Sequence, residues 1–591
     1  MIRTAPLAAA LTLAVAGLPV LATPAAAAGC AGAVTHRVGD VQGGGATTPL
    51  DGATVTVRGT VVGDTPGLSG FYLQDGGDRR AATSDGVFVF SPAAVDLGDT
   101  VSVTGTAGEF GGQTQISART GVEVCADGDA GDLPRPARLD LPADDTAREA
   151  LEGMLVRPAD LTVSEVFELT RFGELTLSAD GVLVQRTELA RPGARAERLE
   201  ARNRDRAIVL DDARSARTSL TDRPYLAPQN PVRVGDRARL AEPVVLGFGF
   251  SAWRLQPADG TAEGLLRPRD TRPARPERTG GNTTVAAFNV LNYFVTLGGE
   301  GRGAETPEQL DAQADKIVPA VRGLRADVVT LMEIEDTDAT GFSPGNADTA
   351  LAELVGRLNA AEGREVWDFV PLPAELYAVE RDAIRNAIVY RTDRVRAVGA
   401  PVGLVDETVW SNAREPQAQT FERAGDRFTV VANHFKSKSA TGATGADEDQ
   451  GDGQGAYNAA RTRQAASLAR FVTDLRTATG DADVIALGDL NAYTREDPVE
   501  VLRSAGLVDL GSRFDEGRYS YVFQARSGSL DHALATRELT RKVSGVTHWN
   551  INAVESSAYQ YDGDPALYAP DPFRSSDHDP VIVGLDLRDR G

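Results

Sequence analysis

Asp483 to Asn491 reads DVIALGDLN, and Ser576 to Leu587 reads SDHDPVIVGLDL. Each is a short apolar run rich in Val, Ile and Leu, with carboxylates and an amide or imidazole gathered at one end. Runs of that length and composition read as buried strands rather than helices. A polar side chain cannot be left unpaired inside a core strand, so these residues mark strand ends. In the first run, Asp489 and Asn491 are two residues apart, and a strand turns both to the same face. The chain has only five histidines. Two of them, His578 and His532 (in SLDHALA, 529–535), directly follow an aspartate. Rare imidazoles kept for strand ends beside carboxylates point to metal-assisted acid/base chemistry.

The same pattern recurs on either side. VAAFNVLNYF (285–294) holds Asn289, DVVTLMEIED (327–336) holds Glu333, RNAIVYR (385–391) holds Asn386, and FTVVANHFKSK (428–438) holds His434. SLDHALA adds Asp531, and the last run opens on Asp577-His578. Between the strands lie helical stretches such as PEQLDAQADKIVPAVRGL (307–324) and NAARTRQAASLARFVTDLR (458–476). Apolar strands alternating with helices predict an α/β domain over 283–588.

FNVLNYF, LMEIE, NHFKSK, GDLNAY, LDHALA and SDHDPV, in this order, resemble the endonuclease/exonuclease/phosphatase superfamily, the group of pancreatic-type deoxyribonuclease. The closer resemblance is to its bacterial extracellular nucleases, which carry barrel modules ahead of the catalytic domain. The resemblance implies a four-layer α/β/β/α sandwich with the site along one edge of its two sheets. It implies a Mg²⁺-dependent phosphodiesterase acting on DNA, with RNA as a further substrate and Mn²⁺ or Ca²⁺ as alternative ions. Products with 5′-phosphate and 3′-hydroxyl ends follow from the family pattern.

Phosphodiester hydrolysis needs a deprotonated water, charge relief on the phosphate and help for the leaving alkoxide. With the family pattern as support, Glu333 is the expected hard-oxygen metal ligand, and Asn289 and Asp531 supporting ligands or water-holders. His578 is the expected general base, oriented by Asp531 or Asp577. His434 and Asn491 would donate to phosphate oxygens, and Asp489 would position the water or leaving group. Asn386, Asn458, Arg461 and Tyr561 are further candidate substrate contacts. Asn458 and Arg461 border the acidic, Gly-rich loop ADEDQGDGQGAYN (446–458). Tyr561 lies in the aromatic insert 556–576, which stacks bases or packs on its own domain. His36 and His548 read as structural. Two rivals stand beside the nuclease reading: a phosphoesterase for lipid or inositol phosphates, and a non-catalytic nucleic-acid-binding or adhesion protein.

The rest of the 591 residues sets the context. Residues 1–28 read as a signal peptide, with Arg3 ahead of an apolar stretch and cleavage near Ala28, so the mature protein is expected to be secreted. The only cysteines, Cys30 and Cys125, are expected to form a disulfide, the alternative being a lipid anchor at Cys30. Residues 29–130 alternate with period two (ATVTVRGTVV, GVFVF, DTVSVTGTA), which predicts a small OB-like barrel. LDGATVTVRGTVV (from Leu50) is echoed by LEGMLVRPADLTV (from Leu151), and LGDTVSVTG (from Leu97) by VGDRARLAE (from Val234). A second OB-like β region is therefore expected over 131–265. The Pro/Arg-rich stretch 266–282 reads as an extended linker. A net charge of −23 argues against sequence-blind adhesion to nucleic acid or anionic membrane, and makes any nucleic-acid contact local and metal-dependent. No protein partner is expected, and the chain should be a monomer.

Overall fold

A computed structural model describes residues 30, 32–217, 224–228, 231–299, 301–379 and 382–587. The proposed signal peptide lies outside these residues.

The first barrel is built from β1 (Thr54–Thr65), β2 (Gly70–Gln74), β3 (Gly86–Phe90), β4 (Thr100–Phe110) and β5 (Gln113–Ser117). They pair in the order β1-β2-β3-β5-β4, and β4 returns to β1, which closes the barrel. Alternate residues Val55, Val57, Val101, Val103 and Ile116 fill its interior. β6 (Val122–Ala126) flanks β4 and carries Cys125, which is disulfide-bonded to Cys30. Closing a loop of that length stabilises by about 4.7 kcal/mol in the chain-entropy account.

The same order recurs in β7 (Ala137–Leu139), β8 (Leu155–Pro158), β9 (Leu161–Glu165), β10 (Leu175–Ser178), β11 (Ala207–Leu210), β12 (Arg237–Ala238), β13 (Val244–Gly249) and β14 (Ala252–Pro257). β8 and β9 share the place of β1, interrupted after Pro158, whose missing N–H ends that half of the ladder. β12 and β13 share the place of β4. Leu155 and Val156 face Val245 and Val244, and Leu161 and Thr162 face Ala238 and Arg237, so the two halves form one antiparallel run. β11 runs parallel to β14 as β3 runs parallel to β5.

The barrels meet across a shared core of Val62, Tyr72, Phe88, Leu155 and Val245. There the backbones of Gly86 and Gly153 come so close that a Cβ on Gly86 would sit 2.2 Å from a Gly153 carbon. Glu152 is 1% exposed at this seam, and its Oε1 has no hydrogen-bond partner. Burial, then the charge of Glu149, push its carboxyl up to about 8, and burial together with Glu109 pushes Glu149 to about 7. A carboxyl raised this way favours the folded state below its ordinary 4.5, and that contribution is lost as pH climbs through 7 to 8. Wild-type Tm should therefore fall between pH 6 and 9 more steeply than that of Glu152→Gln. Equal slopes in the two melting series would remove the proton from the seam.

The 266–282 stretch contains neither helix nor strand, but it is strapped down rather than free. Arg272 pairs with Glu555 at 3.0 Å and lies over the rings of Tyr559 and Phe573. Trp549 Nε1 donates to the Pro273 carbonyl.

The C-terminal half contributes β15 (Thr283–Tyr293), β16 (Val328–Glu335), β17 (Trp367–Phe369), β18 (Ile384–Arg391), β19 (Arg396–Gly403), β20 (Arg414–Arg423) and β21 (Asp426–His434). It continues with β22 (Val484–Asp489), β23 (Val508–Asp509), the hairpin β24 (Tyr521–Phe523) and β25 (Arg526–Gly528), then β26 (Asp531–Ala535), β27 (Val543–His548) and β28 (Val581–Leu585). One six-stranded sheet runs β17-β18-β16-β15-β28-β27, the other β19-β20-β21-β22-β26-β23. Val285, Ala287, Val328, Ile388, Val430, Ala432, Ile485, Leu487 and Ala533 from both sheets form one core between them. Helices Pro307–Leu324 and Thr349–Glu362 cover the outer face of the first sheet, and Asn458–Thr479 and Asp497–Ser504 that of the second.

Candidate active site

Strand alternation places most of the polar residues. Ile485 and Leu487 point into the core between the sheets, so Asp489, two residues on, continues their row. The same step takes Val430 and Ala432 to His434, Val285 and Ala287 to Asn289, Ala535 and Ala533 to Asp531, and Ile388 to Asn386. Where each apolar row ends, its next member is polar, and the polar ends share one edge of the sandwich.

Glu333 arrives differently. Alternation from Val328 and Met332 would put it on the outer face, but β16 bulges here. Its register shifts against β15 between Asn289 and Tyr293 and against β18 between Leu331 and Ile334. Glu333 takes φ 66°, with Leu291 and Asn292 at 55° and 53° on the neighbouring strand. Left-handed backbone at non-glycine residues costs about 1–2 kcal/mol each, and strain of this kind concentrates at functional sites. The bulge turns Glu333 inward, where Asn289 Nδ2 donates to its Oε1 and the Asn292 amide to its Oε2, both at 3.1 Å.

His578 Nδ1 lies 2.7 Å from Asp531 Oδ2. Asp531 is therefore its orienting carboxylate, while Asp577, one residue away, lies where its charge acts on both Glu333 and His578. Asp489 stands between the two imidazoles: its Oδ2 is 3.4 Å from His434 Nε2 and 3.9 Å from His578 Nε2. The Asn491 backbone and side-chain amides both donate to Asp489, at 2.7 and 3.2 Å. Asn491 accepts φ 46° to do so, as asparagine readily does.

The two imidazoles are driven apart electrically. Burial lowers His434, the nearby Arg414 guanidinium adds to it, and the ring is held neutral. Burial also acts to lower His578, but Asp531, Asp577 and Asp489 together outweigh it and hold that imidazole well above its ordinary value. Burial, then the Asp577 charge, raise Glu333. The edge thus carries four carboxylates, Glu333, Asp489, Asp531 and Asp577, around the two imidazoles, with Arg414 and Lys436 on the His434 side.

That surplus of buried negative charge and hard oxygen fits a divalent cation. Among the described residues no three His, Cys, Asp or Glu side chains converge as a ready-made metal cage. Mg²⁺ keeps most of its waters and takes one or two carboxylates, so Glu333 with Asp577 suffices to hold it.

Several expected roles change. Asn289 aims Glu333 with its N–H, and its Oδ1 accepts from the Leu291 amide at 3.0 Å with one lone pair left for a water or cation. Asp531 gives Oδ2 to His578, while its Oδ1 is buried without a hydrogen-bond partner among the described residues and could face a cation or its water. Asn386 donates to the carbonyls of Arg414 and Glu415. Asn458 donates to Asp497 beside the helix start. Arg461 is fully buried, its guanidinium donating to the carbonyls of Gln454, Ala456 and Lys436, so it braces the 446–458 loop and cannot meet phosphate. Tyr561 is not among the residues lining the cavity over His578. Of its neighbours, Phe573 packs against the core of the first sheet, whereas Tyr559 donates its hydroxyl to the Ala227 carbonyl and lies beneath Arg272. His532 points to the opposite face from Asp531 and bonds the Ala492 carbonyl.

Three site residues were not singled out from the sequence. Tyr521 lies over His578 with ring centroids 4.6 Å apart. Its signal was the alternating RYSYVF (518–523). Arg414 and Lys436 crowd His434, each adding positive charge beside it. Lys436 lies inside NHFKSK, while Arg414 left no sequence mark.

Residues 286–578 match the Endonuclease/Exonuclease/phosphatase family, so the C-terminal half carries a domain of that family. No curated protein matches the chain. Among solved structures, humanized D. rerio TDP2 is 16% identical, covering 51% of this chain and 97% of its own, with a TM-score of 0.32. The mannosyl-6-phosphatase of Bacteroides thetaiotaomicron is 15% identical over 52% of this chain and 100% of its own, TM-score 0.33. The human Nocturnin catalytic domain is 17% identical over 53% and 94%, TM-score 0.31.

Proposed function

We propose that the protein is a secreted, divalent-metal-dependent nuclease that hydrolyses phosphodiester bonds in DNA, and in RNA where it meets it, using the four-layer α/β/β/α scaffold of its family. The observation that carries this reading is the Asp531–His578 pair set against Asp489 and His434, at the sheet edge where Glu333 is turned inward. The disulfide between Cys30 and Cys125 supports an oxidising, extracellular setting.

A cation at Glu333 and Asp577 would supply charge relief to the phosphate oxygens and lower the pKa of a bound water. The protein's own groups do the rest. Asp531 fixes the tautomer and direction of His578, leaving Nε2 to take the proton of the attacking water. Asp489, held by both amides of Asn491, keeps that water between the imidazoles. Neutral His434, with Arg414 and Lys436 behind it, faces the phosphate oxygens as donor and positive field.

Incubating the protein with supercoiled plasmid, linear duplex and RNA, with Mg²⁺ and with EDTA, tests the proposal. Plasmid nicking that EDTA abolishes is the expected result. Intact plasmid in both reactions would overturn it.

A further inference from the structure

The catalytic cleft is not made by the C-terminal domain alone. A cavity of about 790 Å³ opens above His578 and Asn491. One wall is Ser437, Lys438 and Gly453, and the other is Gln185, Arg186 and Glu200 from the second barrel. Its roof is the β24–β25 hairpin, with Tyr521 and Phe523.

The hairpin is held by the second barrel. Its two-residue turn puts Gln524 at φ 48° and Ala525 at φ 61°, a turn that normally asks for Asn-Gly. The strained turn persists because the Ala525 amide donates to Glu165 Oε2 at 2.7 Å and Arg526 pairs with Glu200 at 2.7 Å. On its other edge Ser527 donates to the Leu183 carbonyl, and the Gln185 amide donates to the Ser527 carbonyl, each at 2.9 Å. Partners more than 300 residues away in sequence thus fix a catalytic-domain loop.

What the hairpin presents is aromatic. Tyr521 and Phe523 are two apart on one strand and share a face, so Phe523 lies roughly 7 Å beyond Tyr521. Tyr521 lies tilted over His578, and Phe523 is 52% exposed at the cleft mouth. The row His578–Tyr521–Phe523 therefore leads outward from the reacting centre. The cations on this side are already engaged. Lys438 pairs with Glu496 at 2.5 Å, Arg186 with Glu197 at 2.6 Å, and Arg526 with Glu200. With these positive charges already paired, the exposed Phe523 ring is the apolar face this wall offers a ligand.

We infer that Phe523 stacks on a base flanking the scissile phosphate, and that the preferred substrate is single-stranded or locally unpaired nucleic acid. The inference rests on the nuclease reading of the same site. A base inside a duplex has both faces covered by its neighbours, so only an unpaired or extruded base can lay a face on Phe523. Glu165 is then a positioning residue: through the Ala525 amide it holds the hairpin at the height a stacked base needs.

The test uses the full chain with three substrates: a single-stranded oligonucleotide, the blunt duplex of the same sequence, and an abasic strand of the same length, a base-free phosphate ester with no aromatic ring to stack. Wild type should show its lowest KM on the single strand. Phe523→Ala should raise that KM about tenfold, the scale of one lost base–aromatic stack, with kcat within about twofold. Turnover of the base-free ester should not change. Glu165→Ala should reproduce the KM effect, and Glu165→Gln, which keeps an acceptor for Ala525, should largely restore it. An unchanged KM in Phe523→Ala, or an equal loss on the base-free ester, would overturn the inference while leaving the nuclease reading intact. A wild type that cleaves neither nucleic acid nor the ester would overturn the nuclease reading, and this inference with it.

Discussion

Replacing His578 with alanine should lower kcat roughly 10³- to 10⁵-fold while the protein stays folded. The size follows from what the imidazole does and from what remains without it. His578 is the one ring at the edge whose Nδ1 is held by a carboxylate and whose Nε2 faces Asp489. His434 cannot stand in, because burial and Arg414 keep it neutral and a poor base. Residual activity would come from charge relief and positioning alone. Asp531→Asn separates orientation from presence: it keeps the shape but loses the charge and can turn an N–H donor toward Nδ1, which selects the wrong tautomer, and should lower kcat by roughly 10²- to 10⁴-fold. Steady-state kinetics on plasmid, with circular dichroism as the folding control, reads both. Either variant turning over at the wild-type rate would remove the Asp531–His578 pair from the chemistry.

Glu555→Ala should be the most destabilising single change outside the site, by about 3–5 kcal/mol. The Glu555 side chain is fully buried and receives Arg233 at 2.6 Å and Arg272 at 3.0 Å. Arg233 lies just before β12, Arg272 belongs to the strap, and Glu555 follows β27, so one carboxylate joins three parts of the chain. Arg233 also donates to the carbonyls of Thr271 and Asn550. Removing the carboxylate leaves two guanidinium groups buried beside each other, with Asp571 at 3.8 Å from Arg272 as the remaining counter-charge. Glu555→Gln keeps an acceptor but not the charge and should fall between. Calorimetric unfolding of the three proteins measures this, and a Glu555→Ala melt superimposable on wild type would contradict it. Loosening this joint should also relax the hairpin over His578, since the same barrel holds both.

The sequence made the strand ends legible because alternation is local. Ile485, Leu487 and Asp489 share a face whatever the rest of the chain does, and so do Val430, Ala432 and His434. The repeat of the barrel was legible for the same reason, although Pro158 and the segment before Val244 split two of its strands. Glu333 was found through its motif, but nothing local announced the double bulge that turns it inward. The choice between Asp531 and Asp577 was beyond a one-dimensional reading, since both adjoin a histidine in sequence and only the fold decides which carboxylate reaches Nδ1. Arg461 misled because charge reads as surface function, whereas its donors go to loop carbonyls. The second barrel's share of the cleft was invisible, because the bond between Glu165 and Ala525 spans the chain from one domain to another.

The account depends on a divalent ion seated where the bulge delivers Glu333. Crystals soaked in Mn²⁺ and measured at the manganese absorption edge test this directly. The expected result is an anomalous peak bonded to the Glu333 carboxylate, on the His578 side of the cleft, that disappears in Glu333→Ala. A peak elsewhere with none at Glu333, or one that survives Glu333→Ala unmoved, would contradict it.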